Sequence, residues 1–483
     1  MLYMNFNLLF FLIIFILLQN INNYIVLPFK TTKIPFQNFD TNSTIENFLS
    51  QIDINQIYTT LSFGNPSKNI DIYISMQHLA FSVTSNNCLK DSYSSYEPSK
   101  SSTFKNETDY TYSIGDIKQA CIAKEQCSFY NNLDLSQNIS LNDFKFYSGN
   151  NSSPNSDIIS PGKFCGIAGL MRYSSNDNLQ DYNLINYLKK SGKINSYSWG
   201  IFYFDKENSY NVDKAIISNY DGFLIAGLTN DTYLNFFKTK NIYGTYAYDS
   251  FFWSLHFNKI YFNISDVEYS SDNTRIEFVI DMNYITSDGT YYKGIKKHFF
   301  QKFFDQKICV EEKVYEINEK QNNYMIICNS EFKTSLSTFP KIYFFNEQYS
   351  YIFNLDYNDV FMELNNKIYF LIIFKEDMNT IWRVGKIFMK KYPFIFDYDN
   401  KRVSFVHLKK YGSGQSNDQS DKSEGDSSIW ANIKIYIFIV LLIIAVIIGI
   451  FLGKYIWNKQ RKKRANELVD DNYEYVDDLN INK

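Results

Sequence analysis

Ile70-Asp71-Ile72-Tyr73-Ile74-Ser75-Met76-Gln77 and Ile276-Glu277-Phe278-Val279-Ile280-Asp281-Met282-Asn283 are the two stretches that decide the fold. Each is an apolar, β-branched and aromatic run, the composition of a buried strand, and each stops abruptly where the chain must turn. The second run delivers an aspartate to its turn. The first delivers a serine. One strand-and-turn device used in both halves of the chain implies two similar lobes.

Upstream of the first turn, Ile57-Tyr58-Thr59-Thr60-Leu61-Ser62-Phe63-Gly64-Asn65-Pro66 reads as a strand entering a Gly-x-Pro turn. Downstream, Tyr110-Thr111-Tyr112-Ser113-Ile114-Gly115 reads as a hairpin, and Phe164-Cys165-Gly166-Ile167-Ala168-Gly169-Leu170 as a buried strand. A helix-like Leu184–Lys190 and the strands Ser198–Phe204, Gly222–Leu228 and Phe252–Leu255 follow. Trp382-Arg383-Val384-Gly385-Lys386-Ile387-Phe388 then leads to Phe396-Asp397-Tyr398 and to Arg402-Val403-Ser404-Phe405. In order and spacing, over roughly residues 52 to 410, these segments resemble the pepsin-like aspartyl proteases. The last of them, similar to that family's W-I-L-G-D-x-F stretch, is the most specific.

The resemblance implies an all-β, two-lobed acid protease fold with a central cleft, with lobes at 52–235 and 236–411. It places Tyr112 as the flap tyrosine, and Ser75 and Asp281 at the two catalytic aspartate positions. It also implies that Cys309 and Cys328, alone in the second half, pair with each other. Cys88, Cys121, Cys127 and Cys165 permit three pairings, among which the sequence does not choose.

The chemistry of that family needs two carboxylates sharing one proton, because like charges held so close cannot both ionise. Its Asp-Thr-Gly turns add a threonine hydroxyl that bonds across to the other turn and a glycine that lets backbone approach closely. Here the turns read Ser75-Met76-Gln77 and Asp281-Met282-Asn283. Ser75 cannot share an acidic proton with Asp281, the methionines lack hydroxyls, and both glycines are replaced. A lone aspartate hydrogen-bonded to Ser75 or to backbone N–H groups needs no catalytic role. His78, three residues after Ser75, reads as a cleft-edge side chain where the family has a serine; closeness in sequence does not by itself place imidazole on hydroxyl.

Composition excludes other classes. Among 483 residues the formal net charge is −3, and the only basic cluster follows an apolar run near the C-terminus, so nucleic-acid binding has no footprint. Aromatic residues make up 18% of the chain, a bias resembling that of AT-rich protist genomes, which argues for no ligand. Cysteine and histidine spacing fits no common zinc cluster, and neither metal nor cofactor is expected.

The ends predict location. Residues 1–20 carry an eleven-residue apolar core of signal-peptide length, and 21–51 form a candidate short propeptide. Gly412 to Ser428 reads as a flexible stalk. Residues 435–453 are uncharged and long enough to span a bilayer, with the basic run Lys459-Gln460-Arg461-Lys462-Lys463-Arg464 behind them. That order predicts a single-pass protein of the secretory pathway or cell surface, with an extracytoplasmic N-terminal domain and 454–483 as cytoplasmic tail. Glycosylation sequons at Asn42, Asn106, Asn138, Asn150, Asn151, Asn230 and Asn263 all precede the span. Tyr473-Glu474-Tyr475-Val476 has the form of a sorting signal, or is plain acidic tail.

The expectation is a membrane-anchored, catalytically degenerate protease homologue, a surface glycoprotein whose cleft holds an extended peptide or protein. The alternative is an active aspartic endopeptidase of the cell surface or an acidic organelle.

Overall fold

The computed structural model describes residues 24–32, 45, 48–49, 52, 56–85, 96–108, 112–114, 117–131, 137–150, 166–172, 182–204, 219–229, 233, 242–247, 252–264, 267–314, 323–375, 381–406 and 453–461. The segments read as signal peptide and stalk lie outside these residues, as do Cys88, Cys165, Asn42, Asn151, Asn230, the sorting-signal tyrosines and all of the apolar run 435–453 but Gly453. Among the described residues no helix is long and apolar enough to cross a membrane.

The chain divides into two compact units, residues 1–417 and 418–483. In the second, Gly453–Arg461 is helical and exposed, Tyr455, Ile456 and Trp457 included.

The first unit is mostly β. Among the described residues its strands form one sheet of fourteen and one of eleven. In the larger, Lys68–Ser75 pairs antiparallel with Ile57–Phe63 and parallel with Gly166–Gly169, which in turn pairs antiparallel with Phe81–Ser85. In the smaller, Val267–Phe278 pairs antiparallel with Ser254–Ile264 and parallel with Ile381–Val384, which pairs antiparallel with Ile285–Asp288. The local topology is the same in both. A strand ends in a turn, the chain goes on into the next strand but one, and a later strand is threaded between them.

The larger sheet also joins the two halves. Phe394–Asp397 and Arg402–Val406, late in sequence, extend Ser198–Tyr203, which continues through Gly222–Ala226 to Ile25–Thr31. Ile25–Thr31 falls within the candidate propeptide, yet five of its residues pair with Gly222–Ala226 and most of its side chains are buried.

Phenylalanine and tyrosine fill this core. Trp199, Trp253 and Trp382 are buried, with Trp199 stacked on Phe396 at 4.4 Å and Phe278 edge-on to the same ring at 5.5 Å. Such pairs each add about 1 kcal/mol beyond the area they bury. The expected helix Leu184–Lys190 is present, capped by Asn183, whose side-chain oxygen accepts from the N–H groups of Ile185 and Asn186. The helical stretch from Gly289 to Asp305, widened at Lys296–Phe300, was not anticipated from periodicity; Asp288 caps it by accepting from Tyr291 N–H at 2.8 Å.

Cys309 and Cys328 face each other across the hairpin of Cys309–Val314 with Asn323–Asn329 and form the expected disulfide. Cys121 and Cys127 carry free thiols. Asn106, Asn138 and Asn263 are exposed on strands.

Candidate functional site

Both turns are built by the threaded strands. Ile70, Ile72 and Ile74 are buried, so Lys68–Ser75 is fixed in register and Ser75 lies opposite Gly169. Leu170 N–H donates to the Ser75 carbonyl at 2.7 Å and Met171 N–H to the His78 carbonyl at 2.9 Å. A side chain at Gly169 would place its Cβ 2.4 Å from the His78 carbonyl oxygen, so the strand passes under the turn only as glycine. Asn183 locks the same crossing, donating to the carbonyls of Gly169 at 2.6 Å and Leu79 at 3.0 Å.

The second turn repeats this. Val279 N–H donates to Val384 at 3.0 Å, Lys386 N–H donates to the Met282 carbonyl at 2.8 Å, and a Cβ on Gly385 would lie 2.2 Å from that carbonyl oxygen. Sequence identity differs between the turns; backbone engineering does not.

The polar groups meet between the turns. Ser75 is 0% exposed and its Oγ sits 2.7 Å from His78 Nδ1, while Gln77 N–H donates to the same Oγ at 3.0 Å. His78, read from sequence as a cleft-edge side chain, is half-buried and hydrogen-bonded to Ser75. The turn curls so that residue i+3 returns onto residue i. Asp281 is 8% exposed. The Tyr73 hydroxyl donates to its Oδ1, and Met76 N–H donates to its Oδ2 at 3.0 Å. Both donors belong to the first turn and its strand. Asp281 thus bonds across the two halves, by way of backbone N–H where the sequence left serine or backbone open.

Burial lifts the Asp281 carboxyl from its ordinary 3.8 to about 7. The Lys386 ammonium and the N–H groups of Met76, Asp281 and Gln77 pull the other way without offsetting that cost. Lys386 is itself 1% exposed, so a cation has been buried beside the second turn.

A model of the eukaryotic aspartyl protease family matches residues 56–408. The chain belongs to that family. A search among curated proteins finds no match.

Set against the aspartyl protease pattern, the structure brings together Ser75, His78, Tyr73 and Asp281. Tyr112 begins the strand Tyr112–Ile114, which forms a hairpin with Ile117–Asn131. Trp253, just before the strand Ser254–Ile264, donates from Nε1 to the Leu170 carbonyl at 3.1 Å, just beyond the first threaded strand.

Lys386 and Tyr73 were not singled out from sequence. The signal for Lys386 was present: it stands where the family's W-I-L-G-D-x-F stretch has aspartate, a charge reversal in the most specific segment of the chain. Tyr73 carried none, since an inward tyrosine two residues before a turn is ordinary core.

Chemically, the arrangement offers one carboxyl, not two. Ser75 and His78 make a nucleophile-like contact, but Ser75 has no exposure, and Asp281, the acid nearby, is bonded to Tyr73 and Met76. The contact closes the turn. Among the described residues no three His, Cys, Asp or Glu side chains converge as a metal-binding set.

Proposed function

We propose that this aspartyl protease family member has lost peptide cleavage and works by recognition, as a membrane-anchored glycoprotein whose cleft receives an extended peptide or protein. The observation that carries the reading is the state of Asp281. Its two oxygens accept from Tyr73 and from Met76 N–H, and the residue opposite is a serine. A shared-proton pair requires a second carboxylate and an oxygen open toward water. Serine at position 75 supplies no second carboxylate. Losing one member of a cooperating catalytic unit removes several orders of magnitude in rate.

Placement outside the cytoplasm is supported by the Cys309–Cys328 disulfide and by exposed sequon asparagines at 106, 138 and 263. The apolar run 435–453 followed by basic residues supports a single C-terminal span with the tail in the cytoplasm. Recognition of an extended chain would use strand-like hydrogen bonds beneath the Tyr112 hairpin.

The test is to incubate the full-length chain with mixed peptides at about pH 3–5, the range in which a shared-proton carboxylate pair operates. No cleavage is expected. Cleavage that a transition-state-mimicking inhibitor blocks and Asp281→Ala abolishes would establish the endopeptidase instead. With no cleavage, peptides that co-purify with the chain identify its ligand.

A further inference from the structure

The large sheet ends at the short strand Lys105–Asn106, which pairs with Ile117–Asn131 and opens the sequon Asn106-Glu107-Thr108. The whole sequon is pinned to that neighbour. Asn106 lies opposite Ala123, Glu107 N–H donates to the Ile122 carbonyl at 2.8 Å, and Ile122 N–H donates to Thr108 Oγ1 at 3.2 Å. The Asn106 amide is oriented as well. Its Oδ1 accepts from the Cys121 thiol at 3.3 Å, and among the described residues nothing accepts from its Nδ2.

Asn106 stands in the wall of a cavity of about 740 Å³. Ile122 and Tyr182 give that cavity an apolar part, continuous with Tyr147, whose ring lies 4.6 Å from that of Tyr182. The charged part is balanced. Lys105 pairs with Asp143 at 3.3 Å and Lys124 with Glu107, so both ammoniums and both carboxylates of the lining are already matched. An entering anion would compete with a carboxylate for its ammonium, and an entering cation would do the reverse. A neutral ligand rich in hydroxyl groups can donate to the carboxylates and accept from the ammoniums while both pairs persist. Apolar surface with a few polar groups that fix orientation is the make-up of a small-molecule site.

We infer that this cavity is a carbohydrate site filled in cis, by the first sugars of a glycan on Asn106. Attachment exchanges one Nδ2 hydrogen for the anomeric carbon of N-acetylglucosamine. The glycosyl–phosphate bond of a lipid-linked oligosaccharide breaks, a C–N bond forms, and the proton leaves with the lipid diphosphate. Attachment precedes strand pairing, since Ile122 N–H takes up Thr108 Oγ1 in the folded chain. After folding, the sugar is tethered at the cavity wall, where even weak contacts act at high effective concentration. Seated there, it also covers a strand whose outer edge pairs with no other among the described residues. The inference rests on the reading that this domain lies outside the cytoplasm, and not on loss of catalysis.

The test uses the full-length chain made in a secretory host that leaves oligomannose glycans. Glycopeptide mass spectrometry reads occupancy, and release by an endoglycosidase that cuts between the first two sugars, site by site. Asn138 and Asn263, exposed on their strands, are the internal references. On the native chain, release from Asn106 should be at least about tenfold slower than from either, matching a docked-to-free ratio of about ten. Unfolding the chain should make the three rates equal. Tyr182→Ala and Lys124→Ala should each speed release at Asn106 severalfold and leave the references unchanged.

Equal native rates at the three sites, or glycan at Asn138 and Asn263 but none at Asn106, would overturn the inference. So would release at Asn106 that stays slow in a Lys124→Ala chain melting like the parent, which decides the matter if Tyr182→Ala does not fold. Glycan at none of the three would remove the reading of location itself, and this inference with it.

Discussion

The Tyr73 phenol, in the strand that leads to the first turn, donates to the carboxyl oxygen of Asp281 in the second. A residue two positions before Ser75 in one turn holds the aspartate of the other. Tyr73 is buried, so the bond is shielded from water.

Tyr73→Phe should therefore lower stability by about 1–3 kcal/mol, the cost of stripping a partner from a buried acceptor. The loss should be larger at pH 8, where Asp281 is ionised, than at pH 5, where it is protonated. Thermal melts of parent and variant at both values check this. Equal melting at pH 8 would show that the bond contributes nothing.

Asp281 also sets a pH dependence. Its folded value of about 7 lies above its ordinary 3.8, so between these limits the folded chain holds a proton that the unfolded chain has released. Stability contributed this way is present at low pH and falls as pH rises, on the order of 1.4 kcal/mol per unit across the window. Asp281→Asn should flatten the decline between pH 4 and pH 7, measured by denaturant midpoints. Lys386→Met should push the Asp281 carboxyl higher, since the ammonium acts to lower it, and a carboxyl-stretch infrared titration would register the shift.

Ser75→Asp alone should restore no measurable peptidase activity. The new carboxyl would arrive at a position with no exposure, beside His78, while Asp281 remains bonded to Tyr73 and Met76. Met76, Gln77, Met282 and Asn283 would still leave the pair without hydroxyl bracing or glycine turns. Full recovery from this single change, read with mixed peptides in acid, would show that the turn residues matter less than argued.

Gly385→Ala should cost about 3 kcal/mol or prevent folding, because the added carbon meets backbone and not a yielding side chain. Gly169→Ala should behave alike, at 2.4 Å from the His78 carbonyl. Gly192 is the control: a methyl there meets nothing within 4 Å, and only its φ of +69° is penalised, by about 1 kcal/mol. Expression level and melting temperature separate the three.

The fold was legible because its signals are local and repeated. Ile70–Ile74 and Ile276–Ile280 announce buried strands by composition, and Gly169 and Gly385 mark the crossings beneath the two turns. The site was legible only as a set of losses. That Ser75, Met76 and Gln77 cannot do the family chemistry follows from their functional groups. What these positions do instead depends on tertiary placement. His78 closes on Ser75 because the turn curls, Met76 serves through its backbone N–H, and Asn283 reaches Ile52 across 231 positions of chain. The strand Ile25–Thr31 was hidden by its position ahead of the recognisable segments and by Pro28, which weakens a strand reading.

The two glycines under the turns have a consequence for kinship. Carboxylates can be lost without harm to folding, since chemistry is not what holds the sheet together. A Cβ added at Gly169 or Gly385 would collide with backbone atoms, whatever side chains the turns contain. Selection for folding alone would keep these two positions empty long after selection for cleavage had ceased. Inactive descendants of such proteases should therefore be traceable by the two places where they can carry no side chain, more surely than by the acids that once gave the family its name.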